Sequence, residues 1–219
     1  MALTKSEWYP PGHGNIFQSL EMTGFLDELL KQGRDIMLVS NIDNTGATLD
    51  LKIAQFACDE DVEYIMECTE KTENDIKDLN GRSVIQLETS IGGCIKNFPR
   101  AYCVHVNRRR FLPVKKVDDL LAISSNLYTL NDAFTLQFTR NRPAPIVELG
   151  SSFQRVDDFH ARFDDYPDMQ DLDSLKVEGD VRFERDVVLK GDVTIVNKTT
   201  KQQVISAGSV LDNEQVVYE

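Results

Sequence analysis

The chain has 219 residues, enough for one domain or a domain and a half with a true core, and its 36 acidic and 24 basic residues leave a formal charge of −12. That balance argues against nucleic acid as the main partner, and no apolar run approaches the roughly 20 residues that a membrane span needs. The 41% hydrophobic and 27% charged fractions belong to a globular protein rather than a disordered or fibrous one.

The opening Met1-Ala2-Leu3-Thr4-Lys5-Ser6-Glu7 has no apolar segment after its lysine, so no secretory leader is expected. Ile16, Leu20, Phe25, Leu29 and Leu30 recur near helical spacing and predict an amphipathic helix over 16–32, stopped by Gly33. Ile36-Met37-Leu38-Val39 is a short continuous apolar run and reads as a strand buried on both faces of a parallel sheet. A second helix is expected over 47–60, with Leu49, Ile53 and Phe56 on one side, and Tyr64–Cys68 reads as the next strand. Strand, helix, strand is the unit of an α/β fold.

The polar stretch Thr69–Asn80 reads as loop, Val84–Leu87 as a brief extended piece and Ile91–Phe98 as a helix. Tyr102–Val106 is a further strand candidate. Val117–Leu127 reads as a helix whose first turn holds Asp118 and Asp119, where negative charge suits the dipole. Proline and glycine punctuate Pro143–Gly150 and suggest a boundary there. Beyond it, Val156, Phe159 and Phe163 can share one face of a short helix ended by Pro167.

The clearest periodicity comes last. Apolar pairs recur at Leu175/Val177, Val181/Phe183, Val187/Leu189 and Val193/Ile195, each six residues after the one before. Gly179-Asp180-Val181 and Gly191-Asp192-Val193 repeat one tripeptide twelve residues apart. A six-residue period with alternation inside each unit predicts a parallel β-helix, because an antiparallel meander would drift off that spacing.

Cys58, Cys68, Cys94 and Cys103 show no C-x-x-C pair, and His13, His105 and His160 are scattered, so no zinc or redox site is indicated. Their apolar neighbours predict small buried thiols in a reducing cytoplasm.

Three segments could carry chemistry. In Pro10-Pro11-Gly12-His13-Gly14 two glycines flank a histidine, which would let backbone approach an anionic ligand or would simply make a turn. Ser40-Asn41-Ile42-Asp43-Asn44 sets a carboxylate between carboxamides at the end of the apolar run. It could hold a metal and a sugar or phosphate, or cap the next helix. Arg108-Arg109-Arg110-Phe111-Leu112-Pro113-Val114-Lys115-Lys116 places five cations in nine residues of an acidic chain. It is either a solvated basic turn or a phosphate clamp with one lysine at a transferring phosphoryl group.

Taken in order, these segments resemble the second half of the eukaryotic UTP–glucose-1-phosphate uridylyltransferase (UDP-glucose pyrophosphorylase) family. The resemblance rests on Glu7-Trp8-Tyr9-Pro10-Pro11-Gly12-His13-Gly14 and on Val39–Asn44 with Gly46-Ala47-Thr48. It continues through Val84–Thr89, Arg110–Lys115, Ser125–Tyr128, Leu149–Phe153 and Val177–Phe183. It implies an α/β fold, here a partial nucleotidyltransferase (Rossmann-like) mixed sheet over 1–148. A linker helix and C-terminal parallel β-helix over 149–219 would follow, with homo-oligomer contacts through residues 171–219. It also implies UTP, glucose 1-phosphate, UDP-glucose and pyrophosphate as substrates and products, Mg²⁺ as cofactor, and neither nucleic acid nor membrane as partner.

Position by position, the resemblance makes Gly12 and His13 contacts of the nucleotide and sugar phosphate, and Asn41 a contact of the glucosyl unit. Asp43 becomes a Mg²⁺ ligand, Glu88 a partner of sugar hydroxyls and Lys115 the catalytic clamp on phosphate. Three departures accompany it. The family's glycine-rich nucleotide loop and a second essential cation are not among these residues. Several dozen residues that the family inserts near Thr69–Asn80, with an Asn-rich sugar-binding segment, are also missing. A Val-Pro-Arg-Ser-Arg run stands here as Val106-Asn107-Arg108-Arg109-Arg110. The expectation is therefore little turnover by this polypeptide alone. The alternatives are a non-catalytic family member that self-associates through its β-helix, or a related pyrophosphorylase for N-acetylhexosamine or varied sugars.

Overall fold

The computed structural model describes residues 12–70 and 91–219, with the backbone of two short strands between them. The extended piece expected over Val84–Leu87, and Glu88, lie outside the described residues. The chain divides into two compact units, one ending at Asn41 and resuming over Ala47–Phe111, the other made of Ile42–Gly46 and Leu112–Glu219. No helix among the described residues is long and apolar enough to cross a membrane.

In the first unit the helix expected over 16–32 is two helices, α1 (Ile16–Met22) and α2 (Phe25–Lys31). Thr23 turns its hydroxyl back onto the Ser19 carbonyl at 2.7 Å, and Gly24 takes a left-handed φ of 72° that ends the first spiral. Gly33 closes the second as expected, with φ 70° and the Arg34 amide donating to the Leu29 carbonyl at 3.0 Å. The strand expected at Ile36–Val39 does not form. The run joins no ladder among the described residues, and Ile36, Met37 and Leu38 are 46%, 47% and 51% exposed. An apolar run becomes a buried strand only when neighbouring backbone satisfies its N–H and C=O groups, and apolarity alone does not supply that neighbour.

The second helix, α3 (Leu51–Asp59), starts where Asp50 Oδ1 accepts the Lys52 and Ile53 amides at 2.9 and 3.4 Å. Strand β1 (Tyr64–Cys68) follows, then β2 (Asp78–Leu79) and β3 (Arg82–Ser83), which pair antiparallel. β4 (Ala101–His105) pairs parallel with β1 from Tyr64/Ala101 to Cys68/His105. The helix expected over Ile91–Phe98 forms over Ile91–Asn97 as a 3₁₀ helix, its Gly92-Gly93 pair disfavouring the α form. The thiols expected to be buried are not: Cys58 and Cys103 are exposed, Cys68 and Cys94 only partly covered. A two-stranded sheet is too narrow to enclose them.

In the second unit α4 (Val117–Ser124) ends three residues sooner than expected, because the Ser125 hydroxyl bonds the Ala122 carbonyl at 2.8 Å. Leu127, just beyond, is fully buried. A hairpin of β5 (Tyr128–Leu130) and β6 (Leu136–Phe138) leads to β7 (Ile146–Leu149). Helix α5 (Val156–His160) stops well before Pro167, leaving Phe159 and Phe163 buried but Val156 exposed. The rest is β8 (Asp168–Glu178), β9 (Val181–Phe183), β10 (Val188–Asn197), β11 (Gln203–Ile205), β12 (Val210–Asp212) and β13 (Gln215–Tyr218).

Every pairing among β7 to β13 is parallel. One sheet runs β12-β10-β8-β7 with β13 also on β10, and β11 pairs β9 separately. Leu175 faces Val193 and Val177 faces Ile195, and all eight members of the periodic apolar pairs are buried. Gly179 and Gly191 of the repeated tripeptide have φ of 83° and 59°, and a Cβ on them would strike Asn197 O and the Asn213 carboxamide. Each is a turn position where the next layer of chain comes too close for any side chain. Arg140 straps the hairpin to β8 through the Met169, Gln170 and Leu172 carbonyls at 3.1, 3.1 and 2.8 Å.

Candidate functional site

Site residues gather in two places, one in each unit. In the first unit a cleft of about 390 Å³ is lined by Gly12, His13, Asn15, Ser19, Asn41 and Ile91, among others. Gly12 has φ 95°, a backbone state that side chains rarely adopt, so glycine is required where the chain enters the cleft. The Ile91 amide donates to His13 Nδ1 at 3.0 Å, which assigns the neutral ring's proton to Nε2 and makes that nitrogen a donor. Asn15 Nδ2 donates to Ser19 Oγ at 3.1 Å on the same wall. Gly12, His13 and Asn41 were candidates from sequence; Asn15, Ser19 and Ile91 were not. For Asn15 and Ser19 the available signal was two polar residues four apart at the start of an apolar-faced helix.

In the second unit, Ile42–Gly46 lies along the segment that starts at Leu112. The Val114 amide donates to Asp43 O at 2.8 Å, the Leu112 amide to Asn44 Oδ1 at 2.7 Å, and the Thr45 amide to Leu112 O at 3.1 Å. This clasp brings Asp43 Oδ2 within 3.9 Å of Lys115 Nζ. Asp119 Oδ2 accepts the Lys115 and Lys116 amides at 2.8 and 3.0 Å. Asp43 and Lys115, remote in sequence, therefore form a half-exposed pair of opposite charge. Glu88 lies outside the described residues, so only five of the six candidates can be placed.

The basic run is divided in its roles. Arg110 donates to Glu67 Oε1 and Oε2 at 2.6 and 2.8 Å and to Thr48 O at 2.8 Å, and the Glu67 carboxylate pushes its pKa above the usual guanidinium value. Arg108 donates to the Glu70 carbonyl at 2.9 Å and lies over the Phe111 ring. These two arginines brace the first unit, while Lys115 of the same run meets the candidate site residue Asp43.

Among the described residues no three His, Cys, Asp or Glu side chains form a metal cage. Asp43 offers a single hard carboxylate. Mg²⁺ is commonly held by one or two carboxylates with substrate phosphates and water completing the shell, so this donor suits a metal that arrives with a phosphate.

The family model described as UTP–glucose-1-phosphate uridylyltransferase matches residues 2–78 and 77–190. A UTP–glucose-1-phosphate uridylyltransferase of Hordeum vulgare is 36% identical, the match covering 97% of this chain and 59% of that one. Among solved structures, UDP-glucose phosphorylase of Trypanosoma brucei has a TM-score of 0.75 at 29% identity, covering 97% of this chain and 62% of its own. A mutant of UDP-glucose pyrophosphorylase from Leishmania major reaches 0.82 at 25% identity, covering 100% and 64%. The chain thus spans about three fifths of the length of the curated relatives it matches. With its mixed α/β build, parallel sheets and this extent of match, the chain belongs to the UTP–glucose-1-phosphate uridylyltransferase family.

Proposed function

We propose that the chain supplies the sugar-phosphate and pyrophosphate side of a uridylyltransferase site, for the reversible conversion of UTP and glucose 1-phosphate to UDP-glucose and pyrophosphate. The observation that carries this is the approach of Asp43 and Lys115 to 3.9 Å in one backbone clasp. A phosphate oxygen of glucose 1-phosphate forms a bond to the α-phosphorus of UTP. The bridging α–β P–O bond breaks, and pyrophosphate leaves with the electron pair. Little covalent chemistry falls to the protein, so positioning and charge neutralisation carry the rate.

In this reading Lys115 neutralises phosphate charge and Asp43 is the carboxylate toward Mg²⁺. When bound, the ion offsets charge developing on the phosphate oxygens. Gly12 lets backbone approach the anion, His13 donates through Nε2, and Asn41 and Glu88 bond sugar hydroxyls. Four free thiols suit a reducing compartment, and we place the protein in the cytoplasm.

Mixing the purified chain with UTP, Mg²⁺ and glucose 1-phosphate and following pyrophosphate release tests the reading, with UDP-glucose binding measured in parallel. The expected result is binding with little turnover, since no glycine-rich nucleotide loop stands among these 219 residues. Failure to bind UDP-glucose overturns the reading, and turnover at ordinary enzymatic rates overturns the need for that loop.

A second reading, a self-associating and non-catalytic role, is favoured by the C-terminal strands. Recurrent partners eighteen residues apart support a parallel β-helix there: Leu175/Val193, Arg162/Asp180, Asp164/Arg182 and Ser174/Asp192. Light scattering that finds a strict monomer with this region folded removes self-association through 171–219.

A further inference from the structure

We infer that Asp119 is a positioning residue for Lys115, an inference that rests on the phosphate role proposed for that lysine. In an ordinary capping box the acidic side chain at the third helical position serves the amide of the cap residue, here Lys116. Asp119 reaches one residue further, and its bond to the Lys115 amide, 2.8 Å, is shorter than that to Lys116, 3.0 Å. On the preceding side, Asp43 O holds the Val114 amide at 2.8 Å and Asn44 Oδ1 the Leu112 amide at 2.7 Å. The backbone at Lys115 is thus anchored from both sides. Its side chain is 59% exposed, so packing does not direct it. A lysine stem has four rotatable bonds, and where its ammonium can reach depends on where its backbone is held. Asp119 touches no phosphate in this scheme. It fixes the base from which Lys115 extends toward one, while the Asp43 carboxylate, at 3.9 Å, marks where the ammonium lies.

The test is calorimetric titration of the full chain with inorganic pyrophosphate in Mg²⁺ buffer, alongside Lys115→Met, Asp119→Ala, Asp119→Glu and Asp50→Ala. Lys115→Met is expected to lose binding at least tenfold, and Asp119→Ala about tenfold, a charge-assisted bond's worth of anchoring. Asp119→Glu, which restores a carboxylate able to reach both amides, is expected to recover most of the affinity. Asp50→Ala removes the cap of α3 instead and should lower stability while leaving pyrophosphate affinity unchanged. Should alanine at 119 unfold the chain, Asp119→Asn keeps the shape and one acceptor oxygen, and a loss of about threefold is expected. Asp119 variants binding within twofold of the parent while Lys115→Met loses binding overturn the positioning role and leave the phosphate reading intact. Parallel losses in Asp119→Ala and Asp50→Ala overturn it too, reducing Asp119 to a helix cap. Equal binding by the parent and Lys115→Met overturns the phosphate reading and this inference together.

Discussion

The two compact units treat apolar sequence in opposite ways. Among the described residues, every buried hydrophobic side chain lies at Leu121 or later, in the second unit. The first unit leaves Phe25, Leu26, Leu30, Ile36, Met37 and Leu38 exposed. The difference lies in what each stretch finds beside it. In the C-terminal region the chain returns past itself in parallel layers, so an inward Leu175 or Val177 meets Val193 or Ile195 without help from elsewhere. Among the described residues of the first unit β1 pairs only with β4, and a two-stranded sheet offers no face wide enough to cover α2 or the run at 36–39. Local return makes a core out of a repeat, whereas a wound α/β sheet needs several distant strands before any of its apolar runs is buried.

The largest effect that sharpens this contrast should come from Phe183→Ala. Phe183 is fully buried and stacks on Phe163 at a centroid distance of 5.1 Å, so its loss should cost about 3–5 kcal/mol in urea unfolding followed by near-ultraviolet circular dichroism. A cost under about 1 kcal/mol would mean that the second unit's core is not the tight one described. Gly179→Ala should follow at about 2–4 kcal/mol, combining a left-handed backbone with a collision against Asn197 O.

Asn197→Ala comes next. Its buried carboxamide donates to Asp180 O and Lys201 O at 2.7 and 2.8 Å and accepts the Thr199 amide at 2.9 Å. Removing it should cost about 1–3 kcal/mol, read in the same titration. The smallest effect belongs to the first unit: Leu30→Ala should change stability by no more than about 0.5 kcal/mol, since its side chain is already largely in water. Native-state hydrogen exchange offers the direct comparison, with α1 and α2 amides exchanging well before those of β8 and β10. Equal protection in both units would break the contrast.

Some of the molecule was legible without coordinates because the signal was local. The six-residue alternation from Leu175 to Ile195 maps onto buried residues one for one, since its partners arrive within one short return of the same chain. The start of α4 was readable from Asp118 and Asp119 in its first turn, and the stop at Gly33 from its residue type. Gly24 carried a signal as well, yet the apolar periodicity across it suggested one helix; the left-handed backbone at Gly24 prevailed.

Tertiary structure decided the rest. Sequence named Asp43 and Lys115 separately, through motifs, but the clasp of Asp43–Thr45 on Leu112–Val114 is what sets them 3.9 Å apart. Within the first unit, contacts remote in sequence direct two of the three arginines of the basic run to the Glu67 carboxylate and the Glu70 carbonyl. And tertiary structure decided that Ile36–Val39, apolar enough for a buried strand, would not be one, because a strand is a property of a pair and a sequence states only one member.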